Sequence, residues 1–140
     1  MGIGTSADAL IKHGIETDIV ELDPIVYQYA QEYFGLARNH TAYIEDAVGF
    51  VKREATKSVD SKKYDYILHD VFTGGAVPAS LFTLELFEGL SQLLNDDGVI
   101  AIVGFSFLLL FYLPVPRIPG LPSPSVPLRC RATPLLLGNR

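Results

Sequence analysis

Two hydrophobic periods alternate along the first hundred residues of this chain. Residues 6–13 have helical spacing and stop at Gly14, where helices commonly end in a left-handed glycine. Residues 17–22 read as a strand. Asp23-Pro24 then predicts a helix start, with Asp as the cap and Pro at the first helical position. That helix, 24–34, places Val26, Tyr29, Ala30 and Tyr33 on one face and closes at Gly35. Residues 41–45 are a strand. Asp46 caps a helix to about Ala55 with Val48 and Val51 inward. A polar loop at 57–63 leads to a strand over 64–70, centred on Tyr66-Ile67-Leu68. A helix over 83–94 buries Leu86, Phe87, Leu90, Leu93 and Leu94, and Asn95-Asp96-Asp97-Gly98 is a tight turn into a strand over 99–103. Strands separated by helices predict an α/β domain, with a parallel sheet and right-handed crossovers.

The pattern breaks at residue 104. Prolines 114, 116, 119, 122, 124, 127 and 134 argue against a helix or a central strand anywhere in 104–140. The expectation is a domain over 1–103 and a disordered, proline-rich tail over 104–140, foreign to the domain, as a translated intron or a shifted frame would be. The nearly uncharged run at 99–115 is too short for a membrane span once 99–103 is used as a strand, because a span takes about 20 apolar residues. Residues 105–113 then read as an exposed, aggregation-prone patch.

Charge follows the same division. All sixteen acids lie at or before Asp97, while 104–140 holds four arginines and no acid. The part through Val103 carries seven basic and sixteen acidic residues, a net of −9. Such a domain is a poor partner for nucleic acid. The lone Cys130 gives neither an intrachain disulfide nor a metal cluster, and no signal-peptide pattern opens the chain.

The chemistry concentrates at strand ends, where parallel α/β sheets bind ligands. Glu21 ends the first strand, Glu45-Asp46 the second and Asp70 the third. Asp46 also reads as a helix cap, Asp70 as a turn cap and Asp23 as a cap alone. Glu21 has no capping role, so it carries the functional reading best. The turn Gly2-Ile3-Gly4-Thr5-Ser6-Ala7 lets backbone approach a ligand, and Glu21 is placed to accept both hydroxyls of a ribose. Gly2-x-Gly4-x-x-Ala7 also satisfies a dinucleotide fingerprint. Against a dinucleotide stand the helix directly after the acid and the pair Asp46-Ala47, which suits an adenine edge. His13, His40 and His69 lack ligand spacing, and Tyr27, Tyr29, Tyr33 and Phe34 read as helix packing. Residues 72–80, with Gly74-Gly75 and Pro78, form a candidate mobile loop over the site.

These residues resemble the spermidine synthase-like branch of the class I S-adenosylmethionine-dependent transferase fold. The stretches that carry the likeness are Gly2-Ile3-Gly4-Thr5-Ser6, Val20-Glu21-Leu22-Asp23-Pro24, Glu45-Asp46-Ala47, Tyr64-Asp65-Tyr66-Ile67-Leu68-His69-Asp70, Leu81-Phe82-Thr83 and Asp97-Gly98-Val99-Ile100-Ala101. The likeness covers about 2–103. It implies an incomplete Rossmann-like fold, with the first strand missing and truncation at both ends. It further implies S-adenosylmethionine or its decarboxylated form as co-substrate, and no metal. Gly2 and Gly4 would belong to the nucleoside loop, Glu21 would bind the ribose, and Asp46 and Ala47 would hold the adenine. Asp70 would be the catalytic acid that holds, and deprotonates, an attacking amine beside the sulfonium carbon. The implied partner is a polyamine or another small amine, and the implied whole is a cytoplasmic enzyme, homodimeric when complete.

The sequence departs from that pattern at several places. Val71-Phe72-Thr73-Gly74 follows Asp70 where such synthases carry small residues and a second Asp. The β-rich region that closes a polyamine pocket is absent. Loss of the central first strand would leave two strand pairs with unpaired inner edges. The expectation is a fragment, inactive alone, of a polyamine aminopropyltransferase. A methyltransferase on the same fold and a nucleoside-binding pseudoenzyme remain as alternatives, and an NAD-dependent enzyme is a more distant one.

Overall fold

A computed structural model describes residues 1–57, 62–71, 78–103 and 134–138. The expected alternation is present: α1 (Thr5–Lys12), β1 (Asp18–Glu21), α2 (Pro24–Tyr33), β2 (Thr41–Ile44), α3 (Ala47–Ala55), β3 (Tyr64–Asp70), a 3₁₀ turn (Ala79–Phe82), α4 (Leu84–Gln92), β4 (Leu94–Val103) and β5 (Pro134–Gly138). The caps are those read from sequence. The Asp23 carboxylate accepts from the Ile25 N–H at 2.9 Å, and the Asp46 carboxylate from the Gly49 N–H at 2.9 Å. Each satisfies an amide that the first helical turn leaves without a partner.

The sheet has the order β2-β1-β5-β3-β4, and all neighbours run parallel. Its centre departs from expectation. Pro134–Gly138 lies between β1 and β3, with Ile19 opposite Leu136 and Leu68 opposite Leu136 from the other side. The unpaired inner edges expected there are therefore both filled, and this part of the tail is a central strand. Composition misled here because proline excludes a strand only where its missing N–H is needed. Pro134 is the first strand residue, a position that proline tolerates, and the next three residues are leucines. The remainder of the expected tail, the apolar run at 105–113 and Cys130 lie outside the described residues, as does 72–77 of the expected loop. Among the described residues no helix is long and apolar enough to cross a membrane.

One clamp joins the halves of the sheet beneath β5. Asp18, fully buried at the start of β1, accepts from the Tyr64 hydroxyl at 2.9 Å and from the Lys62 ammonium at 2.9 Å. Tyr64 begins β3, so the bond reaches across the central strand. Burial, followed by the nearby Asp18 charge, pushes the Tyr64 phenol far above its ordinary range and keeps it a donor.

Two apolar layers flank the sheet. Val20 and Ile67 pack with Phe50, Val51, Leu86, Leu90 and Leu93 under α3 and α4. Ile19 packs with Ala7, Ile11, Ala30 and Leu36 on the α1 and α2 side. The face expected for α2 is corrected: Tyr29 and Tyr33 are 50% and 68% exposed, and Ala30 is the buried residue of that helix. Tyr27, partly buried, makes the packing contact instead. The expected turn at 95–98 lies within β4 as a break in register, where Tyr64 pairs Leu94 but Tyr66 pairs Val99. Extra residues on one strand bulge out while pairing resumes beyond them.

His69 points to the α4 side, as strand alternation predicts. It is fully buried, its Nε2 lies 2.9 Å from the Leu81 carbonyl, and its ring stands edge-on to Phe82 at 4.9 Å. A carbonyl accepts only, so Nε2 carries the proton. The contact fixes the 3₁₀ turn over the end of β3.

Two predictions follow from this packing. A Cβ at Gly89 would stand 2.6 Å from the Val51 Cγ1. Gly89→Ala gains about 1 kcal/mol of helix propensity but costs about 1–3 kcal/mol of overpacking, so it lowers the melting midpoint. In a Val51→Ala background the same change is neutral or stabilising, and a double-mutant cycle reads the coupling. The second concerns pH. Burial holds the His69 imidazole below its ordinary value of 6.5, against the opposing pull of Leu81 and Asp70. The unfolded chain therefore binds a proton that the folded chain resists. The stability from neutral His69 is complete above pH 6.5 and declines as pH falls from there toward the folded value. Asp8 and Glu54, both lowered, act only below their ordinary 3.8 and 4.5. Melts between pH 7 and pH 5 should show a fall in midpoint that His69→Gln flattens.

Candidate functional site

The carboxyl ends of β1 and β3 meet the turn before α1. Gly2 and Gly4 have φ of 57° and 81°, a left-handed backbone that side chains disfavour. The turn folds tightly enough for the Gly4 N–H to reach the Met1 carbonyl at 3.2 Å. Gly4 is also packed closely, since a Cβ there would meet Leu36 at 3.2 Å. It caps α1 with no side-chain bond, so the amides of the first turn carry no side-chain acceptor from the cap.

Glu21 ends β1 and is 1% exposed. One carboxylate oxygen accepts from the Asp23 N–H at 3.0 Å. The other lies 3.0 Å from the Met1 amine as an ion pair, yet accepts no hydrogen bond among the described residues. A buried carboxylate oxygen without a hydrogen bond is costly, and such atoms mark places where a ligand completes the network. An acceptor paired in charge but without a hydrogen bond suits a donor such as a sugar hydroxyl, so the residues present fit a nucleoside.

Asp70 ends β3 and walls a cleft of about 230 Å³ together with Met1, Gly2, Ile3, Thr5 and Ser6. Glu21 and Asp70 stand two strands apart on the sheet, about 10 Å at ordinary strand spacing. The structure thus brings Gly2, Gly4, Glu21 and Asp70 to one edge. Of these, Gly2 and Asp70 line the cleft and Gly4 and Glu21 flank it, while Asp46 and Ala47 stand at the next strand end and do not line it. Asp46 is exposed and occupied in capping α3, while Ala47 is buried in the core.

Glu45, counted among the strand-end acids, is held by Arg53: one guanidinium nitrogen pairs with Glu45 Oε2 and the other donates to Oε1 at 2.9 Å. Glu45 therefore braces β2 against α3. Glu54 also binds Arg53 and Lys57, and these cations hold its carboxyl below the usual range against the opposing effect of burial. Thr5 and Ser6, absent from the site residues expected from sequence, line the cleft. Their signal was present, because both follow the glycine turn directly. His40, bonded to Tyr27 at 2.9 Å, has a structural place away from this edge. Among the described residues no group of three or more His, Cys, Asp or Glu is placed to hold a metal ion.

Comparison with known proteins extends this geometry. The chain is 60% identical over 102 residues to an N-terminal histidine N-methyltransferase of Emericella nidulans, an overlap that covers 73% of this chain and 18% of that protein. It is 40% identical over 91 residues to a polyamine aminopropyltransferase of Vibrio vulnificus, covering 64% of this chain and 29% of that protein. The chain therefore spans less than a third of the length of either relative. In fold it is similar to human methyltransferase-like protein 13, solved in complex with SAH, with a TM-score of 0.61 and 22% identity over 71% of this chain and 50% of that one. That likeness places the chain in the α/β fold of class I methyltransferases. Residues 2–112 match the spermine/spermidine synthase domain, a match that continues past the expected boundary at 103. On that match, the chain belongs to the spermine/spermidine synthase domain family.

Proposed function

We propose that this domain binds S-adenosylmethionine and serves methyl transfer to a nitrogen, with a peptide N-terminal histidine as the substrate class. The observation that carries the binding half is the buried Glu21 oxygen with no hydrogen bond, beside the glycine turn. Its partner in the reading is the ribose. Asp46 and the Ala47 backbone are assigned to the adenine edge. When bound, S-adenosylmethionine supplies an electrophilic carbon on a sulfonium sulfur. The chain's own contribution is to orient the acceptor. Asp70, at the cleft wall, accepts the proton or N–H of the attacking nitrogen and aims its lone pair.

The choice of methyl over aminopropyl transfer rests on the 60% identity to the histidine N-methyltransferase and on the residues after Asp70. Val71 is buried and apolar, and no second acid follows at Phe72-Thr73-Gly74. One carboxylate suits a single imidazole or amine nitrogen, whereas a polyamine brings several ammonium groups that each need compensation. The second reading, aminopropyl transfer from the decarboxylated co-substrate to a polyamine, is supported by the family and by the 40% identity to an aminopropyltransferase.

The products separate the two readings. Incubation with S-adenosylmethionine and a peptide beginning with histidine should yield S-adenosylhomocysteine and a peptide heavier by one methyl group. Methylthioadenosine formed from the decarboxylated co-substrate and putrescine would favour the second reading. Two variants test the residue roles. Glu21→Gln should weaken S-adenosylhomocysteine binding by about tenfold to 100-fold in calorimetry, the cost of replacing a charged acceptor by a neutral one. Asp70→Asn should leave that binding unchanged and lower the transfer rate by about 100-fold. Full turnover by Asp70→Asn would remove Asp70 from the reaction.

A further inference from the structure

We propose that β5 forms part of the ligand site and that Gly138 is its specificity-determining position. The inference rests on the nucleoside reading of Glu21. β5 lies between the two strands that carry the site's acids. Its register sets Gly138 directly opposite Glu21. On the other side His69 pairs with Leu137, so the same register carried one residue further sets Gly138 beside Asp70. Positions paired across parallel strands share a face of the sheet. Position 138 therefore stands at the carboxyl edge, on the face of Glu21, in the gap between the two acids.

A glycine in a strand weakens it and often marks a place where a ligand or another backbone comes close. Here both neighbouring strands end in carboxylates that are read as holding opposite ends of one ligand. Any side chain at 138 would rise between them, with its Cβ about 5 Å from that of Glu21. A ligand that reaches from Glu21 to Asp70 must cross that gap. Glycine adds no side chain to that gap, and a branched residue would project into it. The expected size limit is specific: small residues at 138 admit a whole nucleoside with its sulfur-bearing arm, while branched residues admit the ribose and block the arm.

Calorimetry with S-adenosylhomocysteine and with adenosine tests this, using the full chain and its Gly138→Ala and Gly138→Val variants. Gly138→Val should weaken S-adenosylhomocysteine binding by about tenfold or more, with Gly138→Ala between, while adenosine binding changes far less. Equal S-adenosylhomocysteine affinity in all three proteins overturns the role of Gly138. If Gly138→Val fails to melt cooperatively, Gly138→Ala alone decides, by the ratio of its two affinities. Amide exchange on the unaltered chain is a separate arm that needs no ligand. Leu135, Leu136 and Leu137 should exchange as slowly as Ile19 and Val20, and fast exchange at those leucines overturns the placement of β5 in the site. An unaltered chain that binds no S-adenosylhomocysteine overturns the transferase reading instead, and slow exchange in that case leaves the strand in place without a nucleoside role.

Discussion

The requirement that buried backbone amides and carbonyls be paired governs this molecule. β1 is buried along all four residues and β3 carries the buried Ile67 and His69, so neither tolerates an open inner edge. Pro134–Gly138 satisfies both at once. Below it, the Asp18–Tyr64 bond sets the spacing of the two flanking strands. Above it, the same spacing separates Glu21 from Asp70. The geometry of the candidate site is thus a consequence of what occupies the middle of the sheet, more than of contacts among the site residues.

The acids of the chain divide by what compensates them. Asp18 is buried against Lys62 and a phenol, Glu54 against Lys57 and Arg53, and Glu45 against Arg53. Each of these closes its own charge within the protein. Glu21 pairs its charge with the Met1 amine at 3.0 Å, but it differs in that the paired, buried oxygen has no hydrogen bond to any described group. A buried polar atom without a hydrogen bond is costly, so a native fold that keeps one points to an outside donor. The contrast with Glu45, equally placed at a strand end, shows that position alone does not make a binding acid.

Much of this was legible in the sequence because it is local. Asp23 and Asp46 cap the helices they precede, Gly14 and Gly35 close others in the left-handed region, and Tyr64–Asp70 forms the strand read from its apolar centre. Glu21 and Asp70 stand where strand ends in the sequence place acids, and alternation along β3 sets His69 on the opposite face. The failures are nonlocal. Glu45 meets Arg53 only once α3 has turned back on β2, which no spacing within either element announces. Tyr29 and Tyr33 fit a helical stripe, but the sheet is met by the narrower side of α2, where Ala30 allows close approach. The largest miss was β5. Its three leucines are too short a run to stand out, proline-rich flanks dominate the composition, and its partners are more than sixty residues away in sequence.

That last separation bears on how the chain reaches its native state. Of the described strands, the one at the centre of the sheet lies furthest along the polypeptide, and Asp18 waits for a partner at Leu135. Contacts between distant residues slow folding because a long loop must close before they form. During synthesis the amino-terminal helices and β1 emerge first, but the sheet has no middle until Pro134–Gly138 has been made. Until then the facing edges of β1 and β3 are open to any strand-like segment nearby, and the newly made chain passes through an interval in which chaperone capture or edge-to-edge aggregation competes with arrival of its own central strand.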